Sequence, residues 1–341
     1  MSFVSKVPFQ LTGRYAESNK WENLGGPGDS RPTGAQVVED EGLVGAMKDK
    51  VFLITGVSSG MGPATVRALA LTGATIYATA RNLPKAKEAL GDVLDTGRVH
   101  LLHIDQADMS SVRACAAEFR KKSSKLNVMV NNAAVMKTPE TRTKDDLELQ
   151  LATNHLSHFL LFYLLKDLLL ASSTPEFKSR VVNVSSLGHR YSPIHFDNLR
   201  LEGEYDGWVA YGQSKTANIY MANEIDRLYG SQGLHGYSLS PGSFVSPNLQ
   251  QHCAEDMEAA MQEAKFSKYY ASTEQACSTS VYGAISKDLE GKGRLYLEGA
   301  SIAGPIPPGG DQLEYGYTEW AFDPEKEAQL WEVSKKLVGV E

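Results

Sequence analysis

Tyr211 and Lys215 are the most informative pair of side chains in the sequence, which reads Tyr211-Gly-Gln-Ser-Lys215 at this point. Residues four apart share one face of a helix, so the ammonium group at position 215 can lie beside the phenol at position 211. A neighbouring cation favours the ionised form of a phenol, whose ordinary pKa is about 10. The pair therefore predicts an acid/base tyrosine. Because both residue types are common, the same spacing is also typical of a solvated helix face.

A glycine-rich turn follows the apolar segment Val51 to Thr55. The turn reads Gly56-Val-Ser-Ser-Gly60-Met-Gly62 and leads into a helical pattern. Glycines permit a tight turn and a close approach of the backbone to a pyrophosphate, whose charge the N-terminus of the following helix stabilises. The position between a strand and a helix favours a dinucleotide site over a turn that needs glycine for conformational reasons alone.

The end of the second predicted strand indicates which dinucleotide binds. An acidic residue there would bond the free ribose hydroxyls of NAD(H), but the sequence reads Ala78-Thr-Ala-Arg81-Asn. Arg81 can form charge-assisted hydrogen bonds with a 2′-phosphate, so NADP(H) is the expected cofactor. The alternative is that Arg81 is only a solvated cation in a loop. Asp105, after the third predicted strand, can accept a hydrogen bond from the adenine amine.

Apolar segments of strand length alternate with amphipathic segments of helix length from Lys50 onward. This alternation predicts an α/β fold in a single domain, with a doubly wound parallel sheet and helices on both faces. We expect the domain to span residues 46–341 and to carry substrate loops near residues 187–210 and 247–272. Residues 1–45 are rich in glycine, proline and polar residues, which predicts a partly extended N-terminal arm.

Composition and charge limit the kinds of partner. The chain has 42% hydrophobic and 22% charged residues and a formal net charge of −7, so a small molecule is a more natural partner than a nucleic acid. The apolar stretch at residues 158–171 is too short to span a membrane and carries two charges. With 3 scattered cysteines, these features predict a cytoplasmic protein. His155 and His158 have the helical spacing of two metal ligands, but no further ligand accompanies them, so packing or helix–helix contact is the expected role and no metal is expected.

Six motifs in order resemble those of the short-chain dehydrogenases/reductases, from Lys50 to about Leu297. They are TGVSSGMG, NNAA, Asn154 in LATNHLSHFLL, VVNVSS, YGQSK and SPG. They most resemble fungal members of the retinol-dehydrogenase-like and WW-domain-oxidoreductase-like branch. The resemblance implies a Rossmann-type fold and an NADP(H)-dependent oxidoreductase of the carbonyl reductase or alcohol dehydrogenase type.

The resemblance also implies roles for the matched residues. Tyr211 would exchange a proton with a carbonyl or alcohol, Lys215 would lower the pKa of the phenol and hold the nicotinamide ribose, and Ser186 would hydrogen-bond the substrate oxygen. Asn154 would anchor a water that passes protons toward Lys215. Besides Tyr211 and Lys215, the residues expected to bind the cofactor are Gly56, Ser58, Ser59, Gly60, Met61, Gly62, Arg81, Asp105, Gln106, Asn132, Ala133, Ala134, Pro241, Gly242, Phe244 and Ser246.

Two long connections between core elements are expected to determine which substrate binds. The candidates for an apolar pocket, with plain packing as the alternative, are Tyr191, Phe196, Phe244 and Met257. By the resemblance, the substrate is an apolar small molecule such as a fungal secondary metabolite. Two other functions stay open: a non-redox isomerase, dehydratase or cyclase that uses the same pocket, and a dinucleotide-binding regulator. The two long helices that carry the catalytic motifs favour a homodimer or homotetramer.

Overall fold

A computed structural model of the chain describes residues 7–256, 258, 264–310 and 313–340. The strands in these residues are β1 (Leu11–Thr12), β2 (Val51–Thr55), β3 (Thr75–Ala80), β4 (Val99–His103), β5 (Val128–Asn131), β6 (Ser179–Val184), β7 (Leu234–Ser240), β8 (Leu295–Glu298) and β9 (Ser301–Ala303). They form one sheet in the order β1-β9-β8-β7-β6-β5-β2-β3-β4. The pairs from β8 to β4 are parallel, whereas β9 is antiparallel to both β8 and β1.

Helices connect the parallel strands. Within the same residues they are α1 (Gly34–Asp40), α2 (Met61–Ala70), α3 (Leu83–Leu90), α4 (Met109–Lys122), α5 (Leu149–Leu151), α6 (Ser157–Ser172), α7 (Gly207–Tyr229), α8 (Ala264–Tyr269), α9 (Thr273–Ala276), α10 (Ser278–Ile285) and α11 (Pro324–Val338). A π-helical turn, Ala152–Leu156, joins α5 to α6. The doubly wound parallel sheet predicted from the alternating pattern is confirmed.

Successive residues of β2 belong to two different apolar cores. Phe52 and Ile54 pack in the core that includes α1, α2 and α10, whereas Leu53 packs in the core that includes α4, α6, α7 and α11. All three side chains are fully buried. Because adjacent side chains of a strand point to opposite faces of the sheet, helices must cover both faces.

The described part of the N-terminal segment, residues 7–45, lies against the domain. Leu11 pairs with Ala303 at the edge of the sheet, and α1 packs on α2 and α10. This packing depends on Gly34, since a Cβ atom there would lie 2.6 Å from the sulfur of Cys277. The segment that was expected to be a partly extended arm thus adds one strand and one helix to the fold.

The strand order reverses between β2 and β5. The segments that leave the carboxyl ends of these two strands therefore run to opposite sides. In open α/β sheets a ligand lies in the crevice at such a point. The turn after β2 and the end of β5 are therefore the elements that position the site. In the part of the chain that the structure describes, no helix has both the length and the apolar character that a membrane crossing requires.

We expect Gly236→Ala to lower the free energy of unfolding by about 2–4 kcal/mol. Helix α7 lies so close to β7 that a Cβ atom at Gly236 would be 2.0 Å from the carbonyl oxygen of Ala222. Because the contacted atom belongs to the backbone, no side-chain rotation can relieve the clash, and the backbone itself would have to move. Urea denaturation measures the effect. Gly25→Ala is the control, because its Cβ would lie 3.4 Å from Asp29; equal stability of the two variants would contradict the close packing.

Candidate active site

A cleft of about 1160 Å³ lies at the carboxyl ends of the parallel strands. The predicted site residues that line it are Gly56, Ser58, Ser59, Gly60, Met61, Arg81, Asp105, Gln106, Asn132, Ala133, Ala134, Ser186, Tyr211, Lys215, Pro241, Gly242, Phe244 and Ser246. The other two predicted residues, Gly62 and Asn154, lie behind this wall. The motifs, which are far apart in the sequence, therefore come together around one space.

The glycine turn is shaped by close backbone contacts. Gly56 has φ of +75°, and a Cβ atom there would lie 2.6 Å from Cα of Ala133. A Cβ at Gly62 would lie 2.2 Å from the oxygen of Gly56, so Gly62 is needed for packing inside the turn. Gly60, with φ of +62°, precedes α2 and brings no side-chain cap to it. The first N–H groups of α2 therefore remain available to an anion beside Met61 in the cleft.

Thr55, the last residue of β2, holds the end of β5. Its hydroxyl oxygen accepts hydrogen bonds from the backbone N–H groups of Asn132 at 2.9 Å and Ala133 at 3.0 Å. The side-chain amide of Asn132 donates in turn to the carbonyl oxygen of Thr55 at 2.8 Å. Asn132 thus lines the cleft while its amide group fastens the two strands together.

His158 connects this contact to the helix of Asn154. Its Nδ1 lies 3.0 Å from the carbonyl oxygen of Asn154 and must donate, so Nε2 is the acceptor for the hydroxyl of Thr55 at 2.9 Å and the amide of Gln106 at 3.1 Å. Burial lowers the pKa of His158 to about 4, which keeps this tautomer neutral. From the sequence, His158 was weighed as a metal ligand or as a packing residue, and this hydrogen-bond network was not predicted. The four-residue spacing between Asn154 and His158 was the sequence feature that could have indicated their contact.

Asn154 lies in the π-helical turn and is fully buried. Its amide oxygen accepts from the N–H of Val135 at 2.8 Å, and its amide nitrogen donates to the carbonyl of Val135 and to the hydroxyl of Ser214, both at 2.9 Å. The side chain therefore joins the segment after β5 to α7. Its predicted part in proton transfer stays a prediction.

Tyr211, Lys215 and Ser186 lie together at one end of the cleft. Asp206 caps α7, which carries the first two, by accepting hydrogen bonds from the first N–H groups of the helix. The ammonium of Lys215 donates to the carbonyl of Val184 at 3.0 Å and lies 5.5 Å from the centroid of the Tyr211 ring. Ser186 follows β6 and hydrogen-bonds Tyr211. Three of the four predicted catalytic side chains are thus neighbours.

The electrostatics of this cluster differ from the sequence-based expectation. Burial raises the pKa of Tyr211 to about 12, and the hydrogen bond with Ser186 only partly opposes this increase. Burial also lowers the pKa of Lys215 to about 7. Lysine was expected to lower the pKa of the phenol, but loss of solvation dominates for both groups, and the ammonium is directed at a backbone carbonyl.

His189 fixes the backbone of Ser186. Nδ1 of this buried histidine donates to the carbonyl oxygen of Ser186 at 2.7 Å, and Nε2 accepts from the N–H of Thr318 at 3.2 Å. Burial, together with the charge of Arg190, lowers the pKa of His189 to about 3. The contact is to the serine backbone, so the pair does not form the base and nucleophile of a hydrolase. No local sequence motif predicts this contact, because Thr318 is distant in sequence from His189.

The candidates for the apolar pocket have different outcomes. Tyr191 and Phe244 line the cleft. Phe196 packs against the core beside α6 and α7, and Met257 lies outside the described residues. Among the residues that are described, no group of three or more His, Cys, Asp or Glu side chains could hold a metal ion.

Trp208 is a wall residue that the sequence analysis did not identify. Its ring lies 6.3 Å from the ring of Tyr211 and 5.2 Å from that of Tyr191. The ammonium of Lys137 lies over the indole, 5.2 Å from the ring centroid, and forms an ion pair with Asp256 of the substrate loop. The helical spacing of three between Trp208 and Tyr211 was a usable signal, since such residues share a face.

Comparisons with known proteins define the family. A family model described as short chain dehydrogenase matches residues 50–258. The chain is 49% identical over 329 residues to short-chain dehydrogenase/reductase prx1 of Penicillium roqueforti, covering 96% of each protein. It is 32% identical over 298 residues to retinol dehydrogenase 12 of Mus musculus, covering 86% of this chain and 87% of that protein. The chain belongs to the short-chain dehydrogenase/reductase family of oxidoreductases, as the motifs predicted.

Solved structures agree on the fold. An uncharacterised protein of Mycobacterium paratuberculosis has a TM-score of 0.64 at 29% identity, covering 86% of this chain and 94% of that chain. The NADP complex of RhlG from Pseudomonas aeruginosa has a TM-score of 0.58 at 20% identity, covering 73% and 94%. The Rossmann-type fold is therefore established.

We expect Glu298→Gln to change how stability depends on pH. Glu298 is fully buried at the end of β8, where Oε2 accepts from the N–H of Gly316 at 2.9 Å, and burial raises its pKa to about 7. Because the pKa in the folded state exceeds the ordinary value of 4.5, folding favours the protonated carboxyl. Its contribution to the free energy of unfolding is therefore complete below about pH 4.5 and is lost as the pH rises through 7.

Between pH 5 and 8 the wild type should therefore lose up to about 3 kcal/mol relative to Glu298→Gln, measured by urea denaturation. Exposed Glu88→Gln is the control for loss of one negative charge. A constant difference in stability between wild type and Glu298→Gln across this range would contradict the assignment.

Proposed function

We propose that the cleft binds NADP(H) and that the protein transfers hydride between the nicotinamide and a carbonyl or alcohol group of an apolar small molecule. The observation that carries this proposal is one cleft with a glycine turn and exposed cations at one end and the Ser186, Tyr211 and Lys215 cluster at the other. When bound, the dinucleotide supplies the hydride chemistry, and the protein supplies placement and proton transfer.

The residues of the first end suit a phosphorylated dinucleotide. The uncapped N-terminus of α2 offers N–H groups to a pyrophosphate, and the cradle around Gly56 is too narrow for a side chain. Arg81 and Lys85 are exposed on the same wall, which gives a 2′-phosphate two cationic partners. Asp105 also lines this end and is the residue we assign to the adenine amine.

At the other end, the protonation of Tyr211 suits carbonyl reduction. A phenol with a pKa of about 12 keeps its proton at neutral pH, and the proton is then available to a carbonyl oxygen that accepts hydride. Ser186 hydrogen-bonds the phenol and is placed to share the same substrate oxygen. Lys215, with a pKa of about 7, can gain or lose a proton beside the ring under the same conditions.

The wall around this cluster supports an apolar substrate. Its apolar side chains are Met136, Leu187, Trp208, Leu249, Tyr270 and Leu313. Such a lining with a few polar groups at one point is typical of small-molecule sites, where the polar groups orient the reacting atom. A ketone or aldehyde with an apolar body is therefore the proposed substrate class.

We expect Tyr211→Phe to lose at least about 100-fold in NADPH oxidation while the Kd of NADPH changes much less, because the hydroxyl is the proton donor but only one of many groups expected to bind the cofactor. The measurement uses a panel of apolar ketones and aldehydes that includes all-trans-retinal, followed by absorbance and product mass. Tyr229→Phe is the control, since this tyrosine lies at the far end of the same helix and makes ring contacts there.

Three outcomes would count against the proposal. Equal activity of Tyr211→Phe and wild type would remove Tyr211 as the proton donor. Substrate conversion by the wild type without NADPH oxidation would favour the isomerase, dehydratase or cyclase alternative. Tight NADPH binding with no conversion across the panel would favour a regulator.

We expect Arg81→Ala to weaken the binding of NADPH by about tenfold or more and to leave NADH binding unchanged, since the 2′-phosphate loses a charge-assisted hydrogen bond. Isothermal titration calorimetry with both reduced cofactors measures the two affinities. Lys87→Ala removes an exposed positive charge from α3 away from the cleft wall and is the matched control. Unchanged NADPH affinity in Arg81→Ala would reject the assignment.

A further inference from the structure

Arg31 caps the carboxyl end of α8 from the N-terminal segment. Its Nη1 donates to the carbonyl oxygen of Tyr269 at 2.8 Å, and its Nη2 donates to those of Tyr270 at 2.6 Å and Lys268 at 3.4 Å. The last carbonyls of a helix have no partner within the helix, and a positive charge there also complements the helix dipole. The planar guanidinium spreads its N–H donors over separate nitrogens, so it reaches several of these carbonyls and Asp29 at once, whereas an ammonium group has fewer donors on a single atom.

Asp29 holds the guanidinium in this orientation. Its two carboxylate oxygens accept from Nε of Arg31 at 2.9 and 3.1 Å, and the side chains of this pair are only 7% and 9% exposed. Gly25 also donates its N–H to Asp29 at 2.9 Å. Burial raises the pKa of Asp29, but the hydrogen bonds from Arg31 and Gly25 outweigh it and leave the pKa below its ordinary value. The carboxyl of Asp29 is therefore ionised at neutral pH.

Gln275 fastens the same segment from the other side. Its amide nitrogen donates to the carboxylate of Asp29 at 3.0 Å and to the carbonyl of Arg31 at 3.1 Å. Its amide oxygen accepts from the N–H groups of Gly28 at 2.8 Å and Ser272 at 3.0 Å. Residues 25–31 are thus attached by hydrogen bonds to the segment that follows the substrate loop.

The opposite side of residues 268–271 forms part of the cleft. Tyr270 lines it together with Ser243 and Phe244. Ala271 donates its N–H to the carbonyl of Ser243 at 2.8 Å and forms a parallel bridge with Phe244. A shift at the Arg31 side would therefore move Tyr270 and the Ser243 turn, both of which border the site.

We propose that Arg31 is a positioning residue of the substrate site: it holds residues 268–271 as a wall of the cleft, so that the N-terminal segment helps to determine which apolar substrate fits. This inference rests on the proposed function for the identity of the ligand. The claim that Arg31 holds residues 268–271 is independent of the ligand, because the cap consists of contacts within the protein. The segment lies before residue 50, where the family match begins.

The test compares Arg31→Met, Arg31→Lys and Arg14→Met in the full chain. Arg14 is an exposed arginine of the same segment that donates to one carbonyl, that of Asp40. Amide hydrogen exchange of peptides that cover residues 268–272 is measured first, followed by the Kd of all-trans-retinal from tryptophan quenching and the Kd of NADPH from calorimetry.

We expect exchange at residues 268–272 to be about tenfold faster in Arg31→Met, intermediate in Arg31→Lys and unchanged in Arg14→Met, because the local opening energy falls when the cap is lost. The Kd of retinal should rise about fivefold or more in Arg31→Met, while that of NADPH changes less than about twofold.

Three results would overturn the inference. The first is unchanged exchange in Arg31→Met, and the second is equally faster exchange in β2, which would show global destabilisation. The third is unchanged retinal affinity despite local opening. Failure of the wild type to oxidise NADPH with any member of the panel would refute the proposed function, while the exchange data would still decide whether Arg31 holds the wall.

Discussion

The hydroxyl of Thr55 is the contact on which both ends of the cleft depend. It accepts two backbone N–H groups from the end of β5 and donates to His158, at the point where the strand order reverses. Without it, two backbone donors in this crowded turn would lose their partner, at a cost of about 1–3 kcal/mol each. Because His158 also reaches the carbonyl of Asn154, the same network ties the glycine turn to the helix that supports the catalytic end.

Burial gives the catalytic end its chemical character. Taking a phenol and an ammonium out of water disfavours the charged form of each, so the pKa of Tyr211 rises and that of Lys215 falls. The result is a pair that holds a proton on the phenol and can exchange one on the lysine near pH 7. Perturbed neighbours of this kind are concentrated at functional sites, because acid/base chemistry needs pKa values that are matched to its task. In the proposed reaction, the cost of burial thus determines which of the two groups carries the proton.

The sequence predicted the parts of the fold that local pattern determines. Strands β2 to β7 and their helices follow from alternation, and the convergence of the glycine turn, Ser186 and Tyr211 follows because parallel strands end at one edge. The direction of the Tyr211 pKa shift was wrong, since spacing reveals a neighbouring cation but not the loss of solvation.

Other features were beyond the reach of sequence reasoning for a different reason. Strand β1 and the cap by Arg31 are formed with residues more than two hundred positions away, so no local period marks them. The tautomers of His158 and His189 depend on which atoms meet in three dimensions. The sequence shows where the histidines are but not which atoms they contact in the folded protein.

Both flanks of the family domain contact residues that border the cleft, and the two flanks support different parts of it. The matched region, residues 50–258, contains the glycine turn and the Ser186, Tyr211 and Lys215 cluster. Thr318 fixes the serine backbone through His189 from the C-terminal flank, and Arg31 holds the substrate loop from the N-terminal flank. A change in the N-terminal flank can therefore alter the shape of the cleft without touching the reacting groups, whereas a change at Thr318 acts on the backbone of Ser186. It follows that a shared domain argues for shared chemistry, whereas a shared substrate is to be argued only from proteins whose flanks match as well.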